Sequence, residues 1–154
     1  MYIGQLDISN AFYMLSLPEA LRPYFGLPGI AAGAVGITSI RGRAVGPKEM
    51  LVPRVCVVPM GWTHALWWCQ QLHERMAVSN GCNPGRRLSD KQRSPAVDQP
   101  ENLAHLQYVD NYAVMGTDPV AVRENLLSMK GILESAGLPV HEVDECSNVC
   151  ELLG

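Results

Sequence analysis

The stretch His105–Met115, HLQYVDNYAVM, decides how this chain is expected to fold. Two apolar runs, His105–Val109 and Tyr112–Met115, are separated by Asp110 and Asn111. Both of these polar residues tolerate the positive φ angles that a two-residue hairpin turn requires. The stretch therefore predicts two antiparallel strands joined by a tight turn that presents a carboxylate.

A helix is predicted on each side of this hairpin. Before it, Thr63–Val78 carries an apolar stripe with helical spacing. The stripe comprises Ala65, Cys69, Leu72 and Met76. After the hairpin, Asp118 and Pro119 form an N-cap followed by proline at the first helical position, and Gly137 stands where a left-handed C-terminal residue belongs. The second stripe comprises Val122, Leu126, Met129, Leu133 and Ala136.

Strands are predicted near both ends of the chain, at Gln5–Leu17 and at Leu138–Val143. Together with the hairpin and the two helices, they give the order βαββαβ, the split pattern of ferredoxin-like α+β folds. Right-handed crossovers then place the first and third strands as neighbours at the centre of the sheet. Asp7, on the first strand, should therefore lie beside Asp110 at the hairpin tip.

Two segments fall outside this pattern. Gly26–Gly46 contains six glycines, which predicts a hairpin with a loose loop inserted between the first strand and the first helix. Leu51–Val58 adds a short β-branched run to it. Asn80–Asn102 is rich in Gly, Pro, Ser and charged residues, and this composition predicts a mobile surface insertion.

Composition limits the classes of protein to which the chain can belong. Its 154 residues fit a single domain spanning 1–154, and 47% hydrophobic residues are enough for a core. No run is long and apolar enough for a membrane helix, and no signal-peptide pattern is present. The five cysteines lack framework spacing and fit free thiols. An intracellular protein of the cytoplasm or nucleus, not secreted and without a membrane partner, is expected.

The net charge of −3 argues against nucleic acid as a partner, but the basic residues are clustered. Arg41–Arg54 carries four basic residues and one acidic residue, and Arg86–Arg93 has the same balance. Either cluster could contact phosphates or form a solvated loop.

Carboxylates at the ends of neighbouring strands fit phosphoryl transfer with two divalent ions. Magnesium prefers oxygen ligands and retains waters, so one or two protein carboxylates together with substrate phosphates suffice. Asp7 and Asp110 are therefore candidate ligands for Mg²⁺, with Mn²⁺ as a substitute.

Five short motifs resemble those of the palm domain of reverse transcriptases, the RNA-directed DNA polymerases of retroelements. In chain order they are LDISNAFY at Leu6–Tyr13, VPMGW at Val58–Trp62 with Gln70 in the following helix, QYVDN at Gln107–Asn111, Gly137–Leu138, and Leu152–Gly154. The resemblance covers nearly the whole chain except Asn80–Asn102. It implies a ferredoxin-like polymerase palm in which the glycine-rich hairpin corresponds to a fingers-like insertion.

The resemblance implies that Asp7, Asp110 and Asn111 form the catalytic group, with the two aspartates as metal ligands. The family normally has a second Asp at the position of Asn111. It also has a lysine in its fourth motif, which Pro139–Asp144 does not supply. Two-metal nucleotidyl transfer with reduced activity is therefore expected.

Three further residues receive substrate-binding roles from the resemblance. Phe12 would exclude a ribose 2′-OH, so that deoxynucleoside triphosphates are the substrates. Gly61 would let the backbone approach the nascent base pair closely. Gln70 would face the template. The implied partners are an RNA or DNA template with its primer.

On this resemblance the chain is truncated at both ends, so that fingers and thumb segments would be missing. One alternative is a non-catalytic retroelement remnant that at most binds nucleic acid or a protein partner. Another is an unrelated ferredoxin-like binding module.

Overall fold

The computed structural model describes residues 1–147, which contain eight strands and three α-helices. The elements in chain order are β1 (Tyr2–Ile8), α1 (Ala11–Met14), β2 (Ile30–Ala31), β3 (Ser39–Ile40), β4 (Arg43–Ala44), β5 (Met50–Leu51), α2 (Thr63–Ser79), β6 (Ala104–Tyr108), β7 (Asn111–Gly116), α3 (Pro119–Ser135) and β8 (Val140–Ser147). The described residues form two compact units, one of residues 1–14 and 60–147 and the other of residues 15–59.

The first unit is built on a four-stranded antiparallel sheet with the order β6-β7-β1-β8. The expected neighbourhood of the first and third long strands is confirmed, because β1 pairs with β7. β8 pairs with the other edge of β1, so β1 is hydrogen-bonded on both sides. The first unit is thus a mixed structure of helices and an antiparallel sheet, compatible with the expected α+β class, in which α2 and α3 pack against the sheet.

α3 follows the sequence prediction closely. The Asp118 side chain accepts a hydrogen bond from the backbone N–H of Val120, and Pro119 opens the helix. The predicted stripe packs against the sheet, and its four fully buried members are Val122, Leu126, Met129 and Leu133. Ala136 is exposed and caps the helix, followed by Gly137 with a φ of 80°. Local signals suffice here because cap, stripe and C-terminal glycine all agree.

α2 forms as predicted, but its buried face is rotated from the predicted stripe. The most buried residues are Ala65, Cys69, His73 and Ala77. Their spacing of four residues follows the ridge that packs against β6. His73 is only 1% exposed. The apolar pattern did not predict its burial, because a hydrogen bond to the Val109 carbonyl in the β6–β7 turn stabilises its ring.

The first strand is shorter than the predicted Gln5–Leu17. β1 ends at Ile8, and Asn10 takes a φ of 53°. The carbonyl of Asn10 then accepts hydrogen bonds from the N–H groups of Tyr13 and Met14, which closes the single turn α1. Asn is among the few residues that adopt this backbone conformation readily. Phe12 therefore lies on a helical turn and not on a strand.

The hairpin turn is displaced by one residue from its predicted position. Tyr108 and Asn111 form the last cross-strand pair, so Val109 and Asp110 are the two turn residues. Val109 takes a φ of 56°, a conformation that is costly for a β-branched side chain. Asn111 consequently begins β7.

The second unit contains the glycine-rich segment and has two small strand pairs. β2 pairs with β5, and β3 pairs with β4 across a tight turn at Arg41 and Gly42, both with positive φ. The Arg43 guanidinium and the Glu49 carboxylate form an ion pair. The predicted hairpin is present at β3–β4, and its turn uses Gly42 where a positive φ is required.

The first part of the predicted insertion Asn80–Asn102 packs against the sheet of the first unit, to which it belongs. Cys82 is buried, and its sulfur lies 3.2 Å from the Tyr112 hydroxyl. The backbone N–H of Leu88 donates to the carbonyl of His105, alongside β6. These contacts give 80–89 a structural role that its composition did not indicate, and the predicted mobility stays a prediction for the residues that follow.

Among residues 1–147, no helix has both the length and the apolar character needed to cross a membrane.

Candidate functional site

Asp7 lies on β1, a central strand of the sheet, next to the strand's last residue. The β6–β7 turn lies at the same end of the sheet. The Cα partner of Asp7 on β7 is Asn111, and its partner on β8 is His141. The register between β1 and β8 shifts next to Asp7, between the pairs made by Gln5 and Asp7. Such an irregularity re-aims the side chains on the bulged strand. Asp7 is half-buried, and it faces a polar residue on each neighbouring strand.

Asp110 is brought next to the end of β1 by the backbone. Its carbonyl accepts a 3.0 Å hydrogen bond from the N–H of Ile8, the residue after Asp7. The Asn111 amide donates a 3.2 Å hydrogen bond to the Asp110 carboxylate. The structure therefore brings together Asp7, Asp110 and Asn111, which are the three residues predicted to form the catalytic group.

The electrostatics of Asp7 agree with this proximity. Burial raises the pKa of its carboxyl above the ordinary value, and the negative charges of Asp110 and Glu142 raise it further. His141 acts in the opposite direction, with Nδ1 3.4 Å from the Asp7 carboxylate. A half-buried carboxylate whose charged form is disfavoured by burial and by a neighbouring carboxylate is an arrangement that a bound cation would relieve.

His141 is a residue of this site that the sequence interpretation did not place beside Asp7. It also lies 3.6 Å from the carboxylate of Glu142, which takes a φ of 51°. The βαββαβ order could have indicated it, because that order places the last strand against the first. The pairing register that sets His141 opposite Asp7 has no local signal in the sequence.

The side chain of Gln70, on α2, is hydrogen-bonded to the backbone of the hairpin turn. Its Oε1 accepts a 2.9 Å hydrogen bond from the N–H of Val109, and its Nε2 donates a 2.9 Å hydrogen bond to the carbonyl of Gln107. The amide thus satisfies backbone groups on both sides of Tyr108. A second α2 residue, His73, places Nδ1 3.1 Å from the Val109 carbonyl.

His73 is held in its neutral form. Burial lowers the pKa of its ring to about 4, although the bond to the Val109 carbonyl favours protonation. Because a carbonyl can only accept, Nδ1 carries the proton of the neutral ring. Both backbone polar groups of the strained Val109 are therefore engaged by α2, which fixes the position of Asp110 next to it.

Phe12 and Gly61 lie outside this group of contacts. Phe12 is half-buried in α1, which packs against α2. Gly61 precedes α2 with a φ of 87°, and a Cβ at this position would meet no atom within 4 Å. Glycine is thus favoured there by backbone conformation. Leu152–Gly154, which resemble the fifth motif, lie outside the described residues.

The donor set fits magnesium only as a carboxylate pair completed by substrate. Within residues 1–147, no group of three or more His, Cys, Asp or Glu side chains is arranged to hold a metal ion. Asp7 and Asp110 provide two hard oxygen ligands, and magnesium commonly takes its remaining ligands from water and phosphate. The two residues therefore suit a weak magnesium site better than a closed structural one.

Comparisons with known proteins give no family for this chain. No family model matches it. No curated protein matches it either.

Proposed function

We propose that the chain is the palm of an RNA-directed DNA polymerase, with reduced catalytic activity. The proposal is supported chiefly by one observation, the juxtaposition of Asp7 on β1 with Asp110 in the β6–β7 turn. The antiparallel sheet with β1 between β7 and β8 is the framework that such a site requires. The order of the sequence motifs adds support. The motif Leu6–Tyr13 covers the end of β1 and part of α1, Gln70 lies in α2, and the motif Gln107–Asn111 covers the β6–β7 turn.

In the proposed reaction, Asp7 and Asp110 hold divalent ions, and a primer–template and a deoxynucleoside triphosphate are the substrates. Bound Mg²⁺ would activate the primer 3′ oxygen and neutralise charge on the triphosphate. The chain's own contribution is positioning. Gln70 and His73 fix the turn, so that the Asp110 carboxylate is held in place before substrate arrives.

Gln70 has a different role in this proposal from the one that the sequence resemblance implies. Both polar atoms of its side-chain amide are already bonded to the protein, to Val109 and to Gln107 and Glu74. We therefore assign it to positioning the turn. Phe12 keeps its proposed role as the group that excludes a 2′-OH, and Gly61 its role in close backbone approach.

Asn111 is the reason to expect reduced activity. Its amide donates to the Asp110 carboxylate and supplies no negative charge. Only two carboxylates then balance the charge of two divalent ions. The proposed metal site should therefore be occupied weakly by these ions. The same substitution favours the second candidate, a non-catalytic retroelement remnant that retains the palm fold and at most binds nucleic acid or a protein.

Primer extension tests the proposal. The chain is fused to fingers and thumb segments, and extension of a DNA primer on an RNA template is measured with Mg²⁺ and with Mn²⁺. Asp7→Asn and Asp110→Asn should each abolish extension. Asp118→Asn is the matched control, because Asn also caps a helix and position 118 lies at α3.

Equal extension by the Asp7→Asn variant and the unmodified protein would contradict the catalytic assignment. Absence of extension in every version, with intact binding of the primer–template, would favour the remnant.

A further inference from the structure

Arg87 is joined to α2 by a half-buried ion pair with Glu74. The guanidinium Nη1 is in close contact with the Glu74 carboxylate, and the two side chains are 32% and 25% exposed. Salt screens an ion pair of this burial less than it screens a fully exposed one. Arg87 belongs to the basic cluster Arg86–Arg93, which the catalytic proposal does not use. This residue therefore has a specific partner on the helix that contacts the β6–β7 turn.

The carboxylate oxygen of Glu74 that contacts Arg87 also binds Gln70. This atom, Oε1, accepts a 2.8 Å hydrogen bond from Nε2 of Gln70, one helical turn earlier. The Gln70 Nε2 also donates a 2.9 Å hydrogen bond to the carbonyl of Gln107. Both partners can only accept, so they fix which end of the Gln70 amide is the nitrogen. Its Oε1 is then directed at the N–H of Val109.

The backbone of Arg87 is attached to the sheet. Arg87 forms a parallel bridge with His105 of β6, and the N–H of Leu88 donates a 2.8 Å hydrogen bond to the His105 carbonyl. Nε of Arg87 donates to the Ser89 hydroxyl over 3.1 Å. Because both the main chain and the side chain are held, forming the ion pair costs less side-chain entropy than it does at a freely moving surface residue.

These contacts form a continuous series from Arg87 to the β6–β7 turn. The series passes through Glu74 and Gln70 and ends at the N–H of Val109, the residue before Asp110. Without a cation beside it, the half-buried Glu74 carboxylate would turn towards water, because a buried charge without a partner is costly. The Gln70 amide would then lose one of its two acceptors, and its bond to the Val109 N–H would open more often.

We propose that Arg87 is a positioning residue for the turn that carries Asp110 and that it acts through Glu74 and Gln70. By holding the Glu74 carboxylate in place, Arg87 keeps the Gln70 amide in the orientation that binds Val109. The Asp110 carboxylate is thereby held ready for the proposed reaction. The catalytic meaning of this role rests on the proposed function, whereas the coupling between Arg87 and the turn does not.

Amide hydrogen exchange of the full chain, followed by NMR in EDTA, tests the coupling without a catalytic assay. Arg87→Gln should make the Val109 amide exchange about three- to tenfold faster, as expected when one hydrogen bond is weakened. The amide of Val114, a fully buried residue of β7, should be affected less. Arg87→Lys retains a cation and should restore part of the protection of Val109.

A second change at Glu74 tests whether Arg87 acts through this residue. Glu74→Gln keeps an acceptor oxygen for Gln70 and removes the charge that Arg87 neutralises. In the Glu74→Gln background, Arg87→Gln should therefore have little further effect on the exchange of Val109. Arg93→Gln is the matched control, because Arg93 is an exposed cation of the same basic cluster. It should leave the exchange of Val109 unchanged in either background.

Primer extension by the chain fused to fingers and thumb segments gives a catalytic readout. Arg87→Gln should raise the Mg²⁺ concentration needed for half-maximal extension, because a less fixed Asp110 binds the ion more weakly. A general loss of folded protein would instead lower the rate at every Mg²⁺ concentration.

Unchanged exchange of Val109 in the Arg87→Gln variant would overturn the proposal. So would an equal increase at Val109 and Val114, or an undiminished effect of Arg87→Gln in the Glu74→Gln background. If the exchange results hold and no version extends a primer, the catalytic proposal is wrong and the coupling of Arg87 to the turn stands.

Discussion

The backbone N–H of Val109 donates a 2.9 Å hydrogen bond to Oε1 of Gln70. This contact joins α2 to the turn that carries Asp110. It also explains how a β-branched residue is held at a φ of 56°, a conformation that costs about 1–3 kcal/mol. The turn is therefore stabilised by tertiary contacts and not by its own sequence.

Gln70→Ala should destabilise the fold by about 1–3 kcal/mol, because it leaves the Val109 N–H and the Gln107 carbonyl without their partner. Urea unfolding followed by circular dichroism measures the change. Gln71→Ala is the matched control, since Gln71 is the next residue of α2 and its Nε2 contacts Glu74. Equal losses in the two variants would show that the clamp on the turn contributes nothing specific.

His73 should make stability depend on pH. Burial lowers the pKa of the folded ring from 6.5 to about 4, so the unfolded chain binds a proton first as pH falls. The stability that neutral His73 provides is complete above pH 6.5 and is lost as pH falls towards 4. The loss is on the order of 3 kcal/mol. His73→Gln does not titrate, and its unfolding free energy should vary less across this range.

Asp7 should change the pH dependence of stability in the opposite direction to His73. Its carboxyl pKa is raised in the folded state, chiefly by burial and then by Asp110, so the charged form is disfavoured by folding. Its contribution to stability is present below the ordinary pKa of 3.8 and is lost as pH rises through the folded value. In EDTA at pH 7, Asp7→Asn should therefore raise the Tm. A lowered Tm at this pH would mean that the contact with His141 outweighs the burial of charge.

Asn111→Asp should leave the fold intact, because the two side chains are nearly isosteric and position 111 already lies within β7. In EDTA the added carboxylate should lower the Tm, since it places a third negative charge beside Asp110. Mg²⁺ should raise the Tm of this variant more than that of the unmodified protein. In the protein fused to fingers and thumb segments, primer extension should rise by at least about tenfold if the proposed function is right, since one charge-assisted contact has an effect of this size. Equal rates would place residue 111 outside the metal site.

The segment after Leu88 should tolerate replacement. Exchanging 91–101 for a short glycine-serine linker should preserve the circular dichroism spectrum, because these residues are largely exposed. Extending the exchange back to residue 80 should destabilise the protein strongly, since it removes the buried Cys82 beside Tyr112. If both exchanges were tolerated, the contacts of 80–89 would be dispensable.

The sequence predicts best where short-range signals agree. Asp118, Pro119 and Gly137 mark the ends of α3, and the structure follows them. The hairpin turn was misplaced by one residue because Val109 has a strong strand propensity and adopts a turn conformation only with help from α2. β1 was extended too far because the apolar residues continue beyond Ile8, whereas the one local signal for its end is Asn10, a residue type that tolerates the positive φ found there.

The candidate site likewise contains residues that the sequence could predict and residues that it could not. Asp7 and Asp110 could be paired from strand order alone, since the order fixes which strands are neighbours. His73 and His141 could not be assigned, because their roles depend on a helix rotation and on a strand register. Such features arise from packing across the whole sheet.

The position of β1 also has a consequence for how the protein folds. Every strand partner of Asp7 lies more than a hundred positions later in the chain, at Asn111 on β7 and His141 on β8. During synthesis, the first strand must therefore wait for about a hundred further residues to emerge before it can pair with β7. Pairings across such long sequence separations make folding slow. The residues of the candidate catalytic centre should consequently be assembled in one of the last steps of folding, after the β6–β7 hairpin and α3 have formed.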